Sequence, residues 1–149
     1  MENRLVRYNL VKEEIQVLTQ TIRTSKDAAT LLKDLYTKEG VGTDIVESFF
    51  IMTLNRKNKV TGYKKISEGS RSGTIVDIPI VLKFAVDSLA HGIILAHNHP
   101  SGELSPSNQD KELTTKIINA GKFMDLNVLD HIILTENSYY SFADEGILS

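Results

Sequence analysis

Residues 92–96 read GIILA, five positions without a polar side chain, and His97-Asn98-His99-Pro100 follows at once. A run this short is a strand rather than a helix, and a strand with no polar alternate must be covered on both faces. ESFFIMTL over residues 47–54, apolar and aromatic, reads as a buried strand, and VLDHIILT over residues 128–135 supplies another. Helical spacing fills the gaps. Ser25 is the expected N-cap of SKDAATLLKDLY, with Ala28, Leu31, Leu32 and Leu35 on one face and Gly40 and Gly42 ending it. Asp77 and Pro79 are expected to open a helix that presents Leu82, Ala85, Val86 and Leu89. A third helix is expected over residues 107–125. Residues 55–58 form a turn into a second strand that ends near Ser67, and Tyr139 to Phe142 pairs with the 128–135 strand. Strands alternating with helices give an α/β fold, a three-layer α/β/α arrangement around a mixed central sheet.

Composition narrows the chemistry. The chain has 149 residues, enough for one domain, and no cysteine, so disulfides, thiolate nucleophiles and cysteine-bound metals are excluded. The absence of cysteine fits a reducing compartment, and a cytoplasmic location is expected. The first residues lack the apolar core of a signal peptide, and no stretch reaches the ~18 apolar residues of a membrane span. A formal charge of -2 gives no global attraction to nucleic acid. The exception is local: Arg56, Lys57, Lys59, Lys64, Lys65 and Arg71 stand against Glu68 alone. Residues 1–24 are expected to be an N-terminal extension packed on a domain spanning residues 25–149.

His97 and His99 sit at the C-terminal end of the GIILA strand, where open α/β sheets form their sites. Two apart in extended chain, they point to one side. Asp110 heads the helical stripe Asp110, Leu113, Ile117, Ala120, Met124, which is otherwise apolar. A carboxylate on a buried face needs a partner, and a cation shared with two imidazoles would be one. Two nitrogens and one oxygen leave a fourth tetrahedral position open, the pattern of catalytic zinc. The same residues have a purely structural reading. Ser107-x-x-Asp110 is a capping-box spacing, and Asp110 can serve the helix start alone. His131, inside an apolar strand, is read as a core histidine, with Asp130-His131 as a second metal pair or outer contact being the alternative. His91 is read as a helix C-terminal residue facing the dipole. His-x-Glu with Pro-Cys-x-x-Cys and His-Glu-x-x-His are both absent, so zinc deaminase and zincin chemistry are excluded.

HNHPSG followed by PSNQD resembles the JAMM, or MPN-plus, metalloprotease signature His-x-His-x7-Ser-x2-Asp, and more narrowly the RadC-like branch of JAB domains. The resemblance extends through ESFFIMTLNRKNKV, LDHIIL and YYSFADEGIL, and covers residues 25–149. It implies a JAB/MPN-like fold of cytidine deaminase-like architecture. It implies one zinc ion on His97, His99 and Asp110, with Glu47 as general acid/base and Ser107 stabilising an oxyanion. The implied reaction is hydrolysis of a peptide or isopeptide bond. Two departures matter. Full-length RadC-like proteins carry an N-terminal helix-hairpin-helix region that this chain is too short to match, so DNA affinity lent by it is expected to be missing. The family's arginine before the helix leading to the HNHP strand is replaced here by VDIPIV. The DNA-repair label attached to RadC-like proteins supplies a second reading, an accessory module that touches phosphates through the basic segment 56–71 without hydrolysis.

Overall fold

The computed structural model describes residues 20–69 and 73–148. Most of the expected N-terminal extension, and Arg71, lie outside the described residues. Residues 20–22 pair with the start of the second strand: Val60 donates to Gln20 O and Ile22 donates to Asn58 O.

The described residues form helix α1 (Ser25–Lys38), strands β1 (Ser48–Leu54) and β2 (Val60–Glu68), helix α2 (Ile78–Asp87), strand β3 (Gly92–Asn98), helix α3 (Asn108–Lys122) and strands β4 (Asn127–Leu134) and β5 (Tyr139–Ser141). The sheet order is β2-β1-β3-β4-β5. β3 and β4 are parallel, and every other neighbouring pair is antiparallel. β3, read as covered on both faces, and β1, read as a buried strand, are buried at every position and lie adjacent near the centre of the sheet.

Strand alternation sorts the core into two sides. Phe50, Met52, Leu54, Ile94, Ala96, Ile132 and Leu134 join Leu31, Leu32, Leu35 and Tyr36 of α1. Phe49, Ile51, Ile93 and Leu95 join Val81 and Ala85 of α2 and Ile117 of α3. The layers are therefore α1, then the sheet, then α2 with α3, as the sequence requires. Each fully buried Leu, Ile or Phe in these layers contributes about 1.5–3 kcal/mol of transfer free energy.

Three local expectations change. The cap of α1 is Thr24, not Ser25: its hydroxyl accepts from Asp27 N, and Asp27 accepts from Thr24 N in return. Ser25 has Ala28 three residues on, which offers no returning acceptor; its hydroxyl instead donates to Asp144 at 2.6 Å. Helix α2 buries Val81 and Ala85, while Val86 is 43% and Leu89 89% exposed. The helix stops at Asp87 and Leu89 takes a φ of 51°, so the end of the expected stripe is off the helix. Helix α3 ends at Lys122 because the chain folds back on it. Leu126 donates to Gly121 O, and a Cβ on Gly121 would lie 2.8 Å from Leu126 O. Met124 is thereby exposed rather than buried on the helix stripe. His91 also stands clear of α2: its backbone joins Leu54 and Asn127 at the mouth of β3.

Candidate metal centre

Register builds the site. Phe49 of β1 faces His97 of β3 in antiparallel pairing. Carrying that register outward by two residues sets Glu47 opposite His99. Residues 47, 97 and 99 share one parity, the same as Phe49 and Leu95, so their side chains leave the sheet on the side of α2 and α3. His99 stays in line with the sheet because its N–H donates to Leu134 O at 2.9 Å. The loop after it turns at Gly102, whose φ of 86° suits glycine. It then returns the chain to the start of α3, where Asp110 occupies the third helical position.

Four ligand-type atoms converge there: Glu47, His97, His99 and Asp110 each offer one, all within 4.8 Å of one another. His97 Nε2 and His99 Nε2 are 2.9 Å apart, and Asp110 Oδ2 lies 3.3 Å from each. Ligand atoms about 2.0–2.1 Å from a tetrahedral centre are about 3.3–3.4 Å apart. The two Asp110–histidine distances match that spacing, and the two imidazole nitrogens stand closer together. Glu47 Oε1 stands farther off, 3.8 Å from His97 Nε2 and 3.9 Å from His99 Nε2. The His97 side chain is 3% exposed and the other three are 15–16% exposed, so the cluster opens to solvent on one side.

The donor chemistry agrees with the spacing. His99 Nδ1 lies 2.8 Å from the Glu103 carbonyl oxygen, which can only accept. The proton therefore sits on Nδ1, and neutral His99 turns an unprotonated Nε2 to the cluster. Two carboxylates and two imidazole nitrogens around one point call for positive charge, and the residues present fit a divalent ion. In the metal-free chain a proton serves instead. Burial opposes charge on His99, but the Asp110 hydrogen bond, the Glu103 carbonyl and the Asp110 and Glu47 charges outweigh it and raise its pKa. Burial would also raise the Asp110 carboxyl, yet hydrogen bonds from His97 and His99, the His97 charge and the Ser107 N–H hold it well below the carboxylate range.

The two readings of Asp110 coincide in one atom. Ser107 and Asp110 form the capping box, with Asp110 N donating to Ser107 Oγ at 3.0 Å and Ser107 N donating to Asp110 Oδ2 at 2.8 Å. The capping oxygen is the same Oδ2 that faces both histidines. Ser107 is exposed, and its hydroxyl hydrogen has no acceptor among the described residues.

Two groups that position the site were not singled out from the sequence. Asn98 points to the opposite face from its histidine neighbours and is fully buried. Its Oδ1 accepts from Ser48 N at 2.8 Å, and its Nδ2 donates to Thr43 O and Val46 O. It thereby pins the segment that carries Glu47. The signal was present: a carboxamide alternating into an apolar face must find backbone partners. Thr114 of α3 is the other, joined through His131 to His97. His131 is a buried core histidine, and both of its ring nitrogens have partners: His97 Nδ1 at 2.7 Å and Thr114 Oγ1 at 2.6 Å. Asp130 faces away from the cluster, accepting from Ser141 Oγ, Ala143 N and His131 N. Burial raises its pKa despite these bonds.

Among the described residues, the basic side chains of the segment are spread over a turn and a strand. Arg56 and Lys57 lie on the β1–β2 turn and Lys59 just before β2, roughly 20 Å from Glu47 along a strand at ~3.3 Å per residue. Lys64 and Lys65 are consecutive on β2 and leave it on opposite faces, and Lys65 lies 3.8 Å from Glu68. No helix among the described residues is long and apolar enough to cross a membrane.

A family model described as RadC-like JAB domain matches residues 22–147. A UPF0758 protein of Flavobacterium johnsoniae is 47% identical over 126 residues, 85% of this chain and 53% of its own length. One from Symbiobacterium thermophilum is 39% identical, covering 70% of this chain and 44% of its own length. One from Porphyromonas gingivalis is 40% identical, covering 68% and 45% respectively. The chain spans about half the length of these curated relatives.

Proposed function

This chain belongs to the RadC-like JAB domain family, and from its four-residue cluster we propose that it is a zinc-dependent hydrolase of the JAMM type, acting on a peptide or isopeptide bond. The observation that carries this reading is the shared focus of His97 Nε2, His99 Nε2 and Asp110 Oδ2, with Glu47 one step beyond it.

His97, His99 and Asp110 would hold the ion. When bound, a zinc ion supplies Lewis acidity: it brings the pKa of a water towards ~7 and polarises the scissile carbonyl. The chain's own residues do the rest. Glu47 Oε1 stands next to the ligand face without belonging to it, where it can take a proton from an attacking water and return one to the leaving amine. Asn98 holds the backbone on either side of Glu47 and so fixes the reach of that carboxylate. Ser107 spends its oxygen lone pair on the helix start and keeps its O–H to donate to a developing oxyanion. The helix α3 N-terminus behind it adds partial positive charge.

Metal analysis of the purified protein after zinc loading is expected to find one equivalent in the wild type and a large loss in His99→Ala. Glu47→Gln is expected to keep zinc and to lose cleavage of a proteome-derived peptide library, read by mass spectrometry. Zinc retention in His99→Ala at the wild-type level would overturn the assignment of the ligands, and cleavage by Glu47→Gln would overturn the role of Glu47.

A further inference from the structure

A buried chain of hydrogen bonds joins two of the ligand residues behind the site. His97 Nδ1 meets His131 Nε2 at 2.7 Å, His131 Nδ1 meets Thr114 Oγ1 at 2.6 Å, and Thr114 Oγ1 donates to the Asp110 carbonyl oxygen at 2.7 Å. The direction of each bond follows from the last one. Thr114 has a single hydroxyl proton and gives it to a carbonyl, which can only accept. Its oxygen must then accept from His131, which puts the His131 proton on Nδ1. The His131 ring is fully buried between Phe49 and Phe142 and makes no ion pair among the described residues, so it carries one proton. Its Nε2 is therefore an acceptor, and the proton between it and His97 belongs to His97 Nδ1. When His97 is neutral, what remains on it is an unprotonated Nε2 aimed at His99 and Asp110.

We propose that Thr114, acting through His131, is a positioning residue that keeps the His97 proton on Nδ1 and leaves Nε2 free to bind the metal ion. This rests on the metal reading above and adds to it a residue that touches neither metal nor substrate. Without the Thr114 hydroxyl, His131 gains by moving its proton to Nε2 and donating to His97 Nδ1. His97 is then forced to carry its own proton on Nε2, where Asp110 accepts it and the lone pair is lost. A single oxygen on α3 thus decides between a ligand and a non-ligand on β3. Outer hydrogen-bond partners of metal-binding histidines are worth ten- to hundred-fold in affinity.

The test uses the full chain as wild type, Thr114→Val and Thr114→Ser. Nitrogen-15 NMR of the metal-free protein in alkaline solution reads which ring nitrogen of His97 and His131 bears the proton. Competition with a colorimetric chelator reads the zinc affinity. The expected wild-type result is Nδ1 protonation of both rings. Thr114→Val is expected to move both protons to Nε2 and to weaken zinc ten- to hundred-fold. Thr114→Ser, which keeps the hydroxyl, restores both readouts. A role in packing alone would move thermal stability in the variants and leave the ring protons where they are. The proposal is overturned by a wild-type His97 proton on Nε2, a result that needs no variant to fold, or by a Thr114→Val protein with unchanged tautomers and affinity. Correct tautomers in a wild type that takes up no zinc would sink the metal reading and not the proton placement.

Discussion

Asn98 stands between two histidines in sequence and on the other side of the sheet in space. Alternation alone separates it from the cluster, and burial then obliges it to satisfy both ends of its amide. Its three partners are backbone atoms of residues 43, 46 and 48, which enclose Glu47. Replacing Asn98 by Ala leaves the Ser48 N–H and two carbonyls to find other partners, at about 1–3 kcal/mol for each buried group left unsatisfied. A loss of about 2–4 kcal/mol in urea denaturation is expected, with zinc uptake retained because none of the ligand side chains depends on the amide. Zinc uptake falling in step with stability would show that the amide supports the whole cluster. The convergence of His97, His99 and Asp110 was legible in the sequence, since strand alternation aims His97 and His99 together and helical periodicity brings Asp110 to the same face. Glu47 was not legible by spacing. It meets His99 only through the register of β1 on β3, a long-range pairing that no local pattern encodes, and the family resemblance supplied it.

At the scale of elements, the strands were read correctly because unbroken apolar runs have one physical solution, burial on both faces. Helix ends were read less well, since they depend on which neighbour answers a backbone group. Thr24 caps α1 rather than Ser25 because Asp27 completes the box. The face of α2 was misread in part: Ala85 is buried as expected, Val86 within the helix is exposed, and Leu89 lies past Ser88, where the helix has already closed. The consequence is measurable. Val81 is fully buried, and Val81→Ala is expected to cost about 1–3 kcal/mol in thermal or urea unfolding. Leu89→Ser, on a residue 89% exposed, is expected to change stability by no more than about 0.5 kcal/mol. The reverse order would return the buried face of α2 to the stripe read from periodicity.

For the whole molecule, on the proposed metal reading folding depends on the ion, and the shifted pKa values of the cluster make it depend on pH. The cluster gathers two carboxylates and two imidazoles where the unfolded chain keeps them apart, so an ion that binds the folded form alone stabilises it by about 2.7 kcal/mol at roughly a hundred times its Kd. For a chain of this size that corresponds to a shift of roughly 5–11 °C in Tm. The metal-free protein depends on protons at the same place. The His99 pKa is raised in the folded state, so its contribution is complete below its unfolded value of ~6.5 and disappears as pH rises through the higher folded value. The Asp110 pKa is lowered, so its contribution is present above ~3.8 and disappears as pH falls towards the folded value. Between those limits a proton on the histidine pair does part of the work of the ion. Metal binding must displace that proton, so affinity weakens on acidification. Scanning calorimetry with zinc and with a chelator is therefore expected to give two Tm curves that nearly meet near pH 5–6 and separate by several degrees above pH 7. A separation that is constant across this range, or larger on the acid side, would mean that His99 is not the group through which protons and the ion compete.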